Sequence, residues 1–214
     1  MVRQATFEDL NSVARIHMTL FKGTVTAHLG KLWNGKVVVD YYREYFNETP
    51  ELFLVSENEK GGVIGFCMGY KLENNRSSIN LLKHHFLSLS VSFLYMLLKG
   101  DKECWRKVLS VFRRHGNCEE KIVIHNPEVH ECKDSDKVEL FTIGVLPEYQ
   151  GKGLAQNLIE EYFKVCTTLK RKYCLISYIV ENLRAERFYY RNGCNPYLEV
   201  VNSRKICFKD LNNQ

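Results

Sequence analysis

Residues 138–155 join an apolar strand to a helix across a glycine-bearing turn, and this junction restricts the fold more than any other stretch. The segment reads VELFTIGVLPEYQGKGLA. Residues 138–145 are β-rich, with Glu139 as the one charge. Pro147 ends the strand because it has no N–H to give a ladder. From Gly153 the spacing turns helical, with Leu154, Leu158, Ile159, Tyr162 and Val165 on one side. A strand, a turn and a helix start together form an anion site. The first-turn N–H groups have no internal acceptor, and the helix dipole is positive at that end. Gly151 and Gly153 have no Cβ to keep a phosphate off the backbone.

Two common nucleotide loops are excluded. A P-loop needs a hydroxyl after its Gly-Lys pair, whereas Leu154 and Ala155 follow Gly153. A dinucleotide fingerprint needs a third glycine, and Gln156 stands there. Gln150-Gly151-Lys152-Gly153-Leu154-Ala155 instead resembles the Gln/Arg-x-x-Gly-x-Gly/Ala loop of the GNAT acetyltransferase superfamily. A second motif lies downstream, where residues 182–194 read NLRAERFYYRNGC. By residue type this is a helix, N-capped by Asn182 and stopped by Gly193, with Ala185, Phe188 and Tyr189 on one face. It resembles the family's late helix, Asn-x-x-Ala-x-x-Phe/Leu-Tyr-x-x-x-Gly-Phe. Cys194 departs from the usual Phe, a matter of packing more than of chemistry. The resemblance is specific over 138–197.

The resemblance implies acetyl-CoA as co-substrate and transfer of its acetyl group to a primary amine. The loop Gln150, Gly151, Lys152, Gly153, Leu154 and Ala155 would bind the pyrophosphate. The strand backbone of Ile143, Gly144 and Val145 would pair with pantetheine and donate to the thioester carbonyl. Asn182, with Ala185 and Phe188 on its helix, would contact the pantetheine arm. Tyr189 would protonate the leaving thiolate, unless it only packs. Glu139 is the candidate base, directly or through a water, unless it is only a solvated strand end. Phe141, Ile143 and Val145 are expected on its face. Thr24, Thr26, His28, His84 and His85 are weaker acceptor-site candidates. Known members with a comparable insertion resemble bacterial small-molecule acetyltransferases of surface-polysaccharide gene clusters, which suggests an amino sugar. A protein or peptide amine, or a non-catalytic acyl-CoA-binding module, are the alternatives.

The remaining composition narrows partners. The net charge is +5, from 30 basic and 25 acidic residues in 214. That balance suits an anionic co-substrate but lacks the concentrated basic stripe of a nucleic-acid binder. The eight cysteines contain no Cys-x-x-Cys pair, and no signal peptide is legible at Met1. Reduced thiols in a cytoplasmic protein are the expectation. Cys118, His125, His130 and Cys132 match no standard zinc spacing, so no metal is expected.

Along the chain, the elements read β-α-α-β-β, insertion, β-α-β-α-β-β. This is a single α/β (α+β) domain over 1–214, with a mixed central sheet flanked by helices. Residues 72–137 are expected as a long helical insertion between strands 3 and 4, far beyond ordinary loop length. Helices are predicted at 79–98 and 102–114. The apolar run inside 79–98 is shorter than the roughly 20 residues of a membrane span, which leaves a buried helix or a peripheral membrane contact. Homodimer formation stays open. The insertion is expected to choose the acceptor.

Overall fold

The computed structural model describes residues 1–22, 35–74, 122–200 and 204–212. The strands are β1 Val2–Gln4, β2 Phe53–Glu57, β3 Val63–Lys71, β4 Ile122–Ile124, β5 Lys137–Val145, β6 Tyr173–Ile179, β7 Cys194–Val200 and β8 Arg204–Asp210. The helices are α1 Leu10–Leu20, α2 Lys36–Glu48, α3 Pro127–Glu131, α4 Leu154–Thr168 and α5 Leu183–Arg191. The strands form one sheet in the order β1-β2-β3-β5-β6-β8-β7-β4. Only β5 and β6 are parallel, joined by the α4 crossover. Every other neighbouring pair is antiparallel.

Apolar periodicity covers both faces of this sheet. On one face α1 and α2 bury Leu10, Val13, Val38 and Tyr42 against Phe53, Phe66 and Met68. On the other, α4 buries Leu158, Ile159 and Tyr162 against Leu140, Cys67 and Ile176. Thr6 opens the first helical segment, its N–H and hydroxyl both donating to Asp9 Oδ2, so the carboxylate satisfies the N-cap backbone N–H. Pro196 sits in β7 next to a register shift, where a strand proline is tolerated.

Two register features position the site. Gly69 faces Leu140 and Met68 faces Thr142, so Phe141 is an extra residue without a partner in β3. This bulge corrects the expectation that Glu139, Phe141, Ile143 and Val145 share one face. Phe141 stays with Glu139 on the α2 side, stacked on Tyr45 at 5.4 Å between ring centroids. Ile143 and Val145 pack into the α4-side core instead. A one-residue slip flips every later side chain. The second feature is a fork. β5 pairs with β6 only from Lys137–Tyr173 to Leu140–Ile176. Beyond it β5 stays with β3 and β6 with β8, so the sheet opens between them.

The region expected as a helical insertion differs at its described ends. Leu72–Asn74 is a 3-10 turn, and Ile122–Ile124 is a strand paired with β7. The three apolar β-branched residues there favour extended backbone. The predicted helices at 79–98 and 102–114, with His84 and His85, lie outside the described residues, as do Thr24, Thr26 and His28. Among the described residues no helix is long and apolar enough to cross a membrane.

Candidate active site

A cleft of about 720 Å³ lies in the fork between β5 and β6. Its walls are Ile143, Gly144 and Val145 on β5 and Ser177, Tyr178 and Ile179 on β6. The α4 start supplies Gly151, Gly153, Leu154 and Ala155 at one end, and α5 supplies Asn182, Ala185, Phe188 and Tyr189. Leu20 and Phe21, at the end of α1, close another side. The volume falls in the ordinary range for small-molecule sites. Because β5 leaves β6 after Leu140, no strand among the described residues pairs with its backbone on that edge, where an extended ligand could pair.

The turn before α4 has the geometry an anion needs. Gly151 and Gly153 hold φ of 78° and 77°, a left-handed conformation costly for residues with a side chain. A Cβ on either would meet nothing within 4 Å. The open volume over both glycines faces the unpaired N–H groups of the first α4 turn. The Gln150 side chain holds the turn in place. Its Nε2 donates to the Val145 carbonyl at 2.9 Å, and its Oε1 accepts from Arg184 Nη2 at 3.0 Å. Arg184 and Arg191 line the cleft and add positive charge. Lys152 does not line it; its ammonium sits 5.4 Å from the Tyr149 ring centroid. The Asn182 side chain caps α5, accepting from the Ala185 N–H at 3.1 Å.

Tyr189 is 8% exposed and packs against Phe188 and Tyr178 at 5.4 and 5.8 Å between ring centroids. Burial, with the thiols of Cys207, Cys194, Cys174 and Cys67 nearby, pushes its hydroxyl well above the ordinary tyrosine value. It therefore carries its proton throughout the neutral range. Glu139 is not in the cleft wall. It lies two residues before Phe141, which is, and its side chain is on the α2 side of β5. Burial raises its carboxyl above the usual range, opposed by a 2.7 Å hydrogen bond from the Tyr70 hydroxyl and by the charge of Arg204. A carboxylate moved toward neutrality is a better base at physiological pH.

Phe141 and Thr142 at the bulge, Tyr149 before the turn, and Arg184 and Arg191 on α5 were not singled out by sequence reasoning. A signal existed for the arginines: in NLRAERFYYR they stand seven apart, close to two helical turns. For Phe141 there was none, since a bulge leaves no mark in an apolar strand. Of the residues weighed as metal ligands, Cys118 lies outside the described residues and the other three have other partners. His130 Nδ1 lies 3.1 Å from the Tyr197 hydroxyl, Cys132 Sγ 3.4 Å from Asp136, and His125 Nε2 3.9 Å from Glu199. Among the described residues no three potential metal ligands converge.

Residues 122–194 match the acetyltransferase (GNAT) family. No curated protein matches the chain in sequence. Among solved structures, the chain is similar to one described only as an acetyltransferase, at 17% identity, TM-score 0.60 and coverage of 99% of each chain. It is similar to yncA of Salmonella typhimurium, a putative acetyltransferase solved with its cofactor acetyl-CoA. That pair shows 14% identity, TM-score 0.58, and coverage of 100% of this chain and 95% of the other. It is also similar to Naa20 of Chaetomium thermophilum, solved with a bisubstrate analogue, at 16% identity, TM-score 0.54, and coverage of 98% and 86%. The family match thus lies over the forked half of the sheet, on a fold that nearly the whole chain shares with these solved acetyltransferases.

Proposed function

We propose that the protein is an acetyl-CoA-dependent N-acetyltransferase acting on the primary amine of a small molecule, with an amino sugar as the preferred acceptor. One observation carries the reading: the fork between β5 and β6 is continuous with the open glycine turn at the α4 start. A pantetheine arm fits along the β5 edge, with the pyrophosphate over Gly151 and Gly153 and the arginines of α5 beside it. Acetyl-CoA supplies the thioester whose carbonyl the amine attacks. The β5 backbone beside the bulge would donate to the carbonyl oxygen. Glu139 would take the amine's proton, through a water given its place beside the cleft. The nitrogen–carbon bond forms as the carbon–sulfur bond breaks. The thiolate would take a proton from Tyr189; Glu139 would then release its proton to solvent, and solvent would reprotonate Tyr189.

The presence of both Glu139 and Tyr189 favours an enzyme over an acyl-CoA-binding module. A screen of CoA release with amino sugars, nucleotide-linked amino sugars, polyamines and peptides tests the acceptor. Release only with peptides would overturn the small-molecule reading, and release with no amine would favour a binding module.

A further inference from the structure

Glu139 and Tyr70 are direct cross-strand partners in the β3–β5 register, one residue before the ladder breaks. The Tyr70 hydroxyl donates to Glu139 Oε2 at 2.7 Å. Tyr70 is 7% exposed and cannot swing freely. Its ring lies 5.8 Å from that of Tyr45 and 5.9 Å from that of Phe141, and the last two stack on each other at 5.4 Å with 21° between planes. Phe141 also lines the cleft and is 38% exposed. The ring stack thus runs from the cleft wall to the carboxylate. Among the described residues, Oε1 accepts no hydrogen bond, so one oxygen is held and the other is left to act.

Resting on the reading of Glu139 as the base, we propose that Tyr70 is a positioning residue for this reaction. Its hydroxyl, packed by the rings of Tyr45 and Phe141, holds Glu139 Oε2 and leaves Oε1 for the proton transfer. The hydrogen bond also favours the ionised carboxylate, against the burial that disfavours it. Among the described residues, the groups facing this carboxylate are few. Tyr70 comes from β3, with Tyr45 of α2 behind it. Arg204 of β8 acts on it by charge. The Tyr162 hydroxyl of α4 reaches only the Glu139 backbone carbonyl. Of these, Tyr70 alone hydrogen-bonds the side chain.

Tyr70→Phe removes the hydroxyl and keeps the ring stack. The carboxyl of Glu139 can be followed by carbon NMR titration of glutamate-labelled protein, its signal assigned by loss in Glu139→Gln. This readout needs no acceptor. In Tyr70→Phe the midpoint should rise by about one pH unit, the equivalent of one lost hydrogen bond of about 1.4 kcal/mol. CoA affinity by calorimetry should be unchanged. With an acceptor amine, the acidic limb of kcat/KM should move up by the same amount, and activity should recover at higher pH. A folded Tyr70→Phe protein with an unmoved titration overturns the proposal. Glu139→Gln separates the two readings. Wild-type turnover there removes Glu139 as the base, whatever the titration does. Lost turnover there with an unmoved Tyr70→Phe titration leaves the base standing and removes Tyr70's role.

Discussion

The Tyr162 hydroxyl donates to the Glu139 carbonyl at 3.1 Å, across a space left open by the absence of a side chain at Gly69. A methyl group on Gly69 would overlap both the Tyr162 hydroxyl and the Glu139 carbonyl oxygen. The fully buried tyrosine of α4 is thereby tied to β5 two residues before the bulge. Gly69 is needed for room, since its backbone is not among the positive-φ glycines.

Gly69→Ala should therefore destabilise the protein. Tyr162 can tilt away, but the Glu139 carbonyl is backbone, so β3 and β5 would have to part. Overpacking of this kind costs about 1–3 kcal/mol, and loss of the Tyr162 hydrogen bond adds about 1. Urea denaturation measures it. A midpoint equal to that of the wild type would mean that the strands absorb the methyl group at no cost.

Gly153→Val should weaken CoA binding without disturbing the core. The new side chain meets no protein atom, but it fills the volume over the α4 N-terminus and strains a backbone at φ 77°. An affinity loss of about tenfold or more, 1.4 kcal/mol, is expected by calorimetry. Unchanged affinity in the folded variant would take the pyrophosphate away from this turn.

Tyr189→Phe should lower turnover more than it weakens CoA binding. The ring contacts with Phe188 and Tyr178 survive, while the proton donor is lost. A positioned acid–base group contributes about 10²–10⁴-fold. Steady-state kinetics alongside CoA calorimetry give the comparison. A variant with wild-type kcat would leave Tyr189 as a packing residue only.

Sequence reading reached elements whose pattern is local. The α4 spacing, the Asn182 cap and the glycine turn follow from propensity and periodicity within a dozen residues. The face of Ile143 and Val145 was misread because a bulge is decided by the partner strand. Gly69 admits Tyr162, and that pairing is 93 residues apart in sequence. The fork was equally hidden. It arises because β6 continues along β8 while β5 continues along β3, and no residue in either strand announces the parting. Strand β4 was missed for another reason: Ile122, Val123 and Ile124 follow a long stretch read as helical, and three residues carry little periodicity.

Acid sensitivity should trace to His17, on the other face of the sheet. This residue of α1 is 7% exposed. Its Nδ1 lies 2.7 Å from the Tyr42 hydroxyl, and its ring packs on Phe21 at 4.9 Å. Burial pushes its pKa down to about 4. The folded protein thus holds His17 neutral down to that pH, whereas an unfolded chain protonates it near 6.5. The sign follows: the unfolded state binds the extra proton, so stability falls as pH drops from about 6.5 to 4, and is unaffected above 7. Between pH 7 and 5 the loss is about 2 kcal/mol from this group. Asp9, whose burial is outweighed by Arg3 and Thr6 so that its carboxyl is held low, adds its loss only as pH falls through the ordinary carboxylate value and below. Comparing urea denaturation at pH 7 and pH 5 for the wild type and His17→Gln isolates the histidine. The variant should start less stable, for want of the fit to Tyr42, and then lose about 2 kcal/mol less on acidification. Parallel losses in the two proteins would show that His17 is not the group that titrates.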